Sequence, residues 1–184
     1  CAELAAGIGY PSQAEANQFL CEVDTNTLDN NKTPIVLIHG VRAREDIWVD
    51  LINFFKEPEN KDLQQNYKLY LVRYQSKKSD ADNGRIIKGS NDSINKVAGI
   101  LKDQIVNYYK TGKDDFSNRS IVIIGHSMGG LVARSLMQEH KCFNGNWCGE
   151  SIKQVITLDT PHHGSRKWKL YGMYDAGEPI DCAF

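Results

Sequence analysis

No apolar run in these 184 residues approaches the ~20 that a helix needs to cross a bilayer. Neither sign of charge dominates. Lys and Arg number 22 against 23 Asp and Glu, leaving a formal net charge of -1 and a pI of about 6.6. Such a balance gives no pull toward nucleic acid or an anionic membrane. Internal repeats and low-complexity segments are absent, which excludes solenoids and arrays. The five cysteines form no C-x-x-C or other metal-like spacing, so no metal site is expected. No signal peptide is visible, and a chain starting at Cys1 reads as a mature polypeptide whose leader has been removed. In a bacterial envelope protein Cys1 would be a lipid-attachment point. What remains is a soluble globular chain, 41% hydrophobic with a mean hydropathy of -0.46, long enough for one sizeable core.

The most informative stretch is Gly125-His126-Ser127-Met128-Gly129. It follows the apolar run Ile121-Val122-Ile123-Ile124 and precedes a helical stretch from Leu131 to Glu139. Strand, tight turn, helix is the setting in which G-x-S-x-G presents a nucleophilic serine. Glycines keep side chains out of a sharp turn, and the helix start directs amides and dipole at developing negative charge. The competing reading is a loop whose serine merely caps the helix.

Two further strand ends belong with it. Thr33 to Ile38 runs into His39-Gly40-Val41, and Val155 to Leu158 runs into Asp159-Thr160-Pro161-His162-His163-Gly164-Ser165. Acyl transfer needs donors aimed at an oxyanion, and backbone N–H groups are the usual supply. Met128, after the serine, and Val41, in the earlier loop, are the candidates. His39 reads as a structural brace for that loop.

These three strand ends make the chain resemble the α/β-hydrolase family, and within it the lipases. Thr160-Pro161-His162 narrows the resemblance toward bacterial-type lipases and related lipid-bond hydrolases. The likeness runs from about residue 33 to residue 166. It implies a mainly parallel sheet with helices on both faces, a Ser/acid/His triad, and no metal or organic cofactor. Relatives are usually longer, and the strands that carry their acid and histidine have no counterpart before residue 184. The fold is therefore expected to be completed by a C-terminal segment or a second chain.

Along the chain, residues 1–184 read as a single domain, with 166–184 as the start of a cap or lid. Alternating strands and helices argue a parallel sheet with right-handed crossovers. Near-continuous apolar strands argue burial on both faces. A short helix is expected near Gln13 to Leu20, helices over Glu45 to Lys56 and Asp92 to Tyr109, and a strand over Tyr67 to Tyr74. Gln75 to Gly89 reads as a loop near the site. Too few residues precede Pro34 for two more strands, so the sheet should start with the family's third.

Ser127 is the expected nucleophile. Its base is not evident. His126 is its chain neighbour, His140 ends the following helix, and His162 and His163 precede the place where the family puts its base. Asp159 is a candidate acid, with Asp175, Glu178 and Asp181 weaker. Cys142 and Cys148 flank a turn-rich segment suited to a disulfide, Cys1 and Cys21 are a second candidate pair, and Cys182 is left over. This points to a secreted or envelope, periplasm-like location, against five reduced thiols in a cytosol. Trp168, Leu170, Tyr171, Met173 and Tyr174 would line an acyl pocket or an interfacial lid, or pack as an ordinary helix. The expected substrate is a small-molecule or lipid ester, met at a transient lipid interface, with no nucleic-acid partner. An acyltransferase with the same triad and a non-catalytic binding module remain the alternatives.

Overall fold

The computed structural model describes residues 20–23, 32–41, 43, 45–74, 94–110, 116 and 121–164. Five strands form one sheet: β1 (Leu20–Glu22), β2 (Thr33–Ile38), β3 (Tyr67–Val72), β4 (Ile121–His126) and β5 (Ile152–Leu158). Their spatial order is β1-β3-β2-β4-β5. β2, β3, β4 and β5 run parallel, and β1 pairs antiparallel with β3 at the edge. The helices are α1 (Val49–Lys56), α2 (Lys61–Asn66), α3 (Ile94–Lys110), α4 (Met128–Glu139) and the short α5 (Cys148–Ser151). Two 3-10 turns, Glu45–Trp48 and Pro58–Asn60, lead into α1 and α2.

Helices cover both faces of the sheet, as expected. On one face α3 and α4 bring Val97, Ala98, Leu101, Ile105, Val132 and Leu136 onto Val36, Ile38, Tyr70, Val72, Ile121 and Ile123. Tyr70, Tyr108 and Phe116 meet there with centroids 5.2 to 6.1 Å apart, and the Tyr108 hydroxyl donates to the Leu20 carbonyl at 3.1 Å. On the other face Trp48 and Ile52 pack against Cys21, Leu37, Leu69 and Leu71. Each fully buried Leu or Ile contributes about 1.5–3 kcal/mol relative to exposure. β2 is central because Val36, Leu37 and Ile38 are wholly buried whichever way they point.

Two sequence expectations are corrected. The sheet does not start with the strand at Thr33, because β1 precedes it. Leu20, expected to end a helix, begins that strand, and residues 13–19 lie outside the described residues. Leu20, Cys21 and Val23 are buried, and Lys68 pairs with Glu22 at 2.9 Å, so packing holds three residues extended whose pattern is too short to read. β5 is not buried on both faces. Ile156 is 38% and Leu158 44% exposed, since β5 is the outermost described strand beyond β4.

The Cys142–Cys148 disulfide is formed as expected. It closes a hairpin held by Cys142 N–H to Asn146 O (3.0 Å) and Cys148 N–H to His140 O (2.9 Å), with Phe143 buried beneath. Cys21 is also disulfide-bonded, and its expected partner Cys1, like Cys182, lies outside the described residues. The Cys142–Cys148 crosslink spans six positions, and closing so short a loop is worth about 2 kcal/mol of unfolded-state entropy. Replacing both cysteines with alanine should lower unfolding stability by that amount in urea titrations of the full chain. An unchanged midpoint would show that the hairpin's hydrogen bonds and Phe143 hold it without the crosslink.

Candidate active site

Ser127 stands at the carboxyl end of β4, between the ends of β2 and β5. Its backbone has φ 54 and ψ -122, a conformation that an L residue adopts only under strain. Three features hold it there. Its N–H donates to the Leu158 carbonyl at 2.8 Å, and its own carbonyl accepts from Gly130 N–H at 3.2 Å. A Cβ on Gly40 would lie 2.7 Å from the Ser127 Cβ, so only glycine lets the β2 loop come this close. Ser127 occupies the N-cap position of α4, yet its side chain makes no capping bond. The helix-cap reading therefore fails on geometry, and the half-buried hydroxyl is left for other work.

Met128 is the first residue of α4, where a backbone N–H has no intrahelical acceptor. Its side chain is buried in the core, which fixes the peptide. Val41 follows Gly40 in a turn closed by Ala43 N–H to Gly40 O at 3.3 Å, and it packs against the same core cluster as Met128. The structure thus gathers the Gly40-Val41 loop, Ser127 and Met128 into one corner, at the positive end of a 12-residue helix.

His39 is a brace, as its sequence position suggested. It is fully buried and stacks on Tyr74 at 4.0 Å. Its Nδ1 donates to the Gly40 carbonyl at 2.9 Å, and its Nε2 accepts from Tyr74 N–H at 3.5 Å. The Tyr74 hydroxyl donates back to the His39 carbonyl, and burial pushes that phenol well above its usual pKa, so it stays a neutral donor. Neither ring nitrogen of His39 is left for proton transfer.

The other candidates separate. His140 sits at the far end of α4, its Nε2 on the Asn95 carbonyl at 3.1 Å. His162 uses both nitrogens, 3.3 Å from Arg134 Nη1 and 3.2 Å from Thr157 Oγ1. His163 is exposed. His126 is half-buried with its Nδ1 enclosed and unpartnered, close to Gly40. Asp159 is exposed directly after Leu158, and its φ of 51 suits the turn residue that Asp often is. Asp175, Glu178, Asp181, the Trp168-to-Tyr174 cluster and the Gln75-to-Gly89 segment lie outside the described residues. No group of His, Cys, Asp or Glu among the described residues is arranged to hold a metal.

Sequence reasoning did not single out Arg134 or the seat of Thr160. Thr160 lies on the first turn of α4, where a Cβ on Gly130 would come within 2.1 Å of its Oγ1. The Thr160-Pro161-His162 motif is thereby explained as a cover fitted to the glycine after the elbow. Arg134 gave one usable signal, its place two helical turns after Ser127.

Residues 29–176 match the family of PGAP1-like alpha/beta domains. A GPI inositol-deacylase of Candida albicans is 35% identical over 83 residues, 44% of this chain and 18% of that protein. Two structures of Bacillus licheniformis lipase BlEst2 share the fold. The mature form gives a TM-score of 0.54 at 19% identity, covering 88% of this chain and 54% of the lipase. The propeptide form gives 0.51 at 19% identity, covering 83% and 28%. The chain thus spans about a fifth of the curated relative's length and about half of the mature lipase. It belongs to the PGAP1-like alpha/beta domain family, and its fold is that of the α/β-hydrolases.

The close approach at Gly40 gives a direct check. Gly40→Ala should cost about 1–3 kcal/mol of stability, because its methyl meets the Ser127 Cβ as well as the His126 carbonyl. In a Ser127→Gly background the penalty should shrink, since that Cβ is gone and the positive φ is relaxed. Denaturant titration of the four proteins reads the coupling, and strict additivity would mean that the β2 loop does not press on Ser127.

Proposed function

From that membership, we propose that the chain carries the nucleophile of a serine hydrolase that cleaves carboxylic esters of lipids. The observation that carries this reading is Ser127: a strained, half-buried serine whose hydroxyl does no capping, at the start of a helix. Its Oγ attacks the acyl carbonyl as a histidine base takes its proton. The oxyanion that forms is received by the N–H groups of Val41 and Met128. The tetrahedral adduct collapses, the alcohol leaves with the proton returned by the histidine, and an acyl-enzyme remains on Ser127. Water then releases the acid by the same steps.

The name of the Candida albicans relative, an inositol deacylase, supports an acyl ester on a polyol as the substrate class. Trp168, Leu170, Tyr171, Met173 and Tyr174 supply apolar side chains suited to an acyl chain. The Cys142–Cys148 disulfide supports an oxidising, extracytoplasmic setting. No described helix is long and apolar enough to cross a membrane.

A fluorophosphonate probe on the full chain should label Ser127, and Ser127→Ala should abolish labelling. Labelling that survives the substitution would sink the assignment.

The acyl preference is tested separately. Each buried methylene is worth up to about 0.8 kcal/mol, so a few should raise kcat/KM more than tenfold. Acetate, butyrate, octanoate and palmitate esters, kept below micellar concentrations, should show this rise. A monotonic fall from acetate upward would point to a shallow pocket for small esters instead.

A further inference from the structure

We infer that His162 is a positioning residue for Ser127: a neutral imidazole that accepts from Arg134 and donates to Thr157, tying helix α4 to the end of β5. This rests on the acyl transfer proposed for Ser127. Arg134 Nη1 lies 3.3 Å from His162 Nδ1 and 3.4 Å from the His162 carbonyl. A guanidinium can only donate, so Nδ1 must present its lone pair, and the ring's single proton sits on Nε2. From there it is donated to Thr157 Oγ1 at 3.2 Å. One tautomer satisfies both contacts, and a protonated ring could not accept from Arg134.

The link closes a circuit that contains the nucleophile. Arg134 is seven residues beyond Ser127 on α4. Thr157 lies beside Gly125 in the β4–β5 register, and the next residue, Leu158, accepts the Ser127 N–H at 2.8 Å. Between them Thr160 rests on Gly130. Among the described residues the turn after β5 also carries two backbone bonds, His162 N–H to Thr160 O and Gly164 N–H to Pro161 O. Its entry is exposed at Leu158 and Asp159, while Thr160, Pro161 and His162 are half-buried. The imidazole is the side-chain tie from this turn to both α4 and β5, and through Leu158 it acts on the serine backbone without touching the substrate itself. A residue that only filled space would be replaceable by any ring, whereas this one must accept a hydrogen bond from Arg134.

The test is the rate at which a fluorophosphonate labels Ser127 in the full chain. His162→Phe and Arg134→Met should each slow labelling about tenfold, the scale expected when reacting groups are slightly misplaced. His162→Asn should recover most of the rate, because its amide oxygen can accept from Arg134 where Nδ1 did. The double variant Arg134→Met/His162→Phe should be no slower than either single one. Nitrogen-15 NMR of the wild type should find His162 neutral with its proton on Nε2. If His162→Phe does not fold, Arg134→Met and His162→Asn carry the test. Wild-type rates in Arg134→Met, an Asn variant as slow as Phe, additive losses in the double variant, or an Nδ1–H tautomer would each overturn the role. Wild-type labelling at Ser127 with unaffected variants overturns this inference alone. Labelling of another residue overturns the parent reading and this one with it.

Discussion

Ser127 holds φ 54 and ψ -122, which an unconstrained serine would leave, at a cost of about 1–3 kcal/mol. The surroundings over-determine this conformation rather than merely tolerate it. β4 enters the turn paired on both sides, with β2 and β5, so the incoming direction is fixed. α4 leaves it with Met128, Gly129, Gly130, Leu131, Val132 and Ala133 all buried, so the outgoing direction is fixed too. Two backbone hydrogen bonds and the Gly40 loop then close on the serine from the remaining sides. Neither neighbour can move away without unpacking a core that the whole sheet shares. The strain is thus maintained by the fold, and the Ser127 hydroxyl is held in the corner shared with the Gly40-Val41 loop and the start of α4.

Two histidines around this corner are tied down by their hydrogen-bond partners. His39 gives its Nδ1 proton to a carbonyl and accepts at Nε2, while His162 does the reverse. Each choice is dictated by a partner that cannot change role: a carbonyl only accepts, and a guanidinium only donates. Both rings are therefore committed to these partners, one at the loop after β2 and the other at the turn beyond β5. Tyr74 joins them as a phenol that burial keeps protonated.

How much of this was legible depended on the range of the forces involved. The elbow could be read because strand, glycine, serine and helix follow one another within about twenty residues, and each local preference agrees with the fold. The same holds for β2 and β4, read from continuous apolar runs, and for the long helix α3, whose apolar spacing sets the face that is buried. β1 escaped because three residues carry no period, and its strand state comes from pairing with β3, some fifty positions away. The exposure of β5 escaped because an apolar strand looks the same whether or not something covers it. At the site, Ser127, Met128 and Val41, which the structure brings into one corner, were singled out by local pattern, but the contacts of His162 were not. Its partner Arg134 is on another element, and an arginine on a helix usually reads as a solvated face.

The contrast between the two strands flanking β4 explains why such a partner is needed. β2 is packed from both faces, and its loop is pinned by a buried His39 and Tyr74. β5 supplies the carbonyl that holds the serine N–H, yet it keeps Ile156 and Leu158 well exposed. Hydrophobic burial is non-directional and scales with the area covered, so among the described residues it holds β2 more than β5. Directional polar contacts are what can fix a thinly covered segment in one orientation. Arg134, His162 and Thr157 provide them, and Thr160 seated on Gly130 sets the depth at which the turn rests. Among the described residues the two sides of Ser127 are thereby held by different physics, burial on one and hydrogen bonding on the other, at a common backbone position.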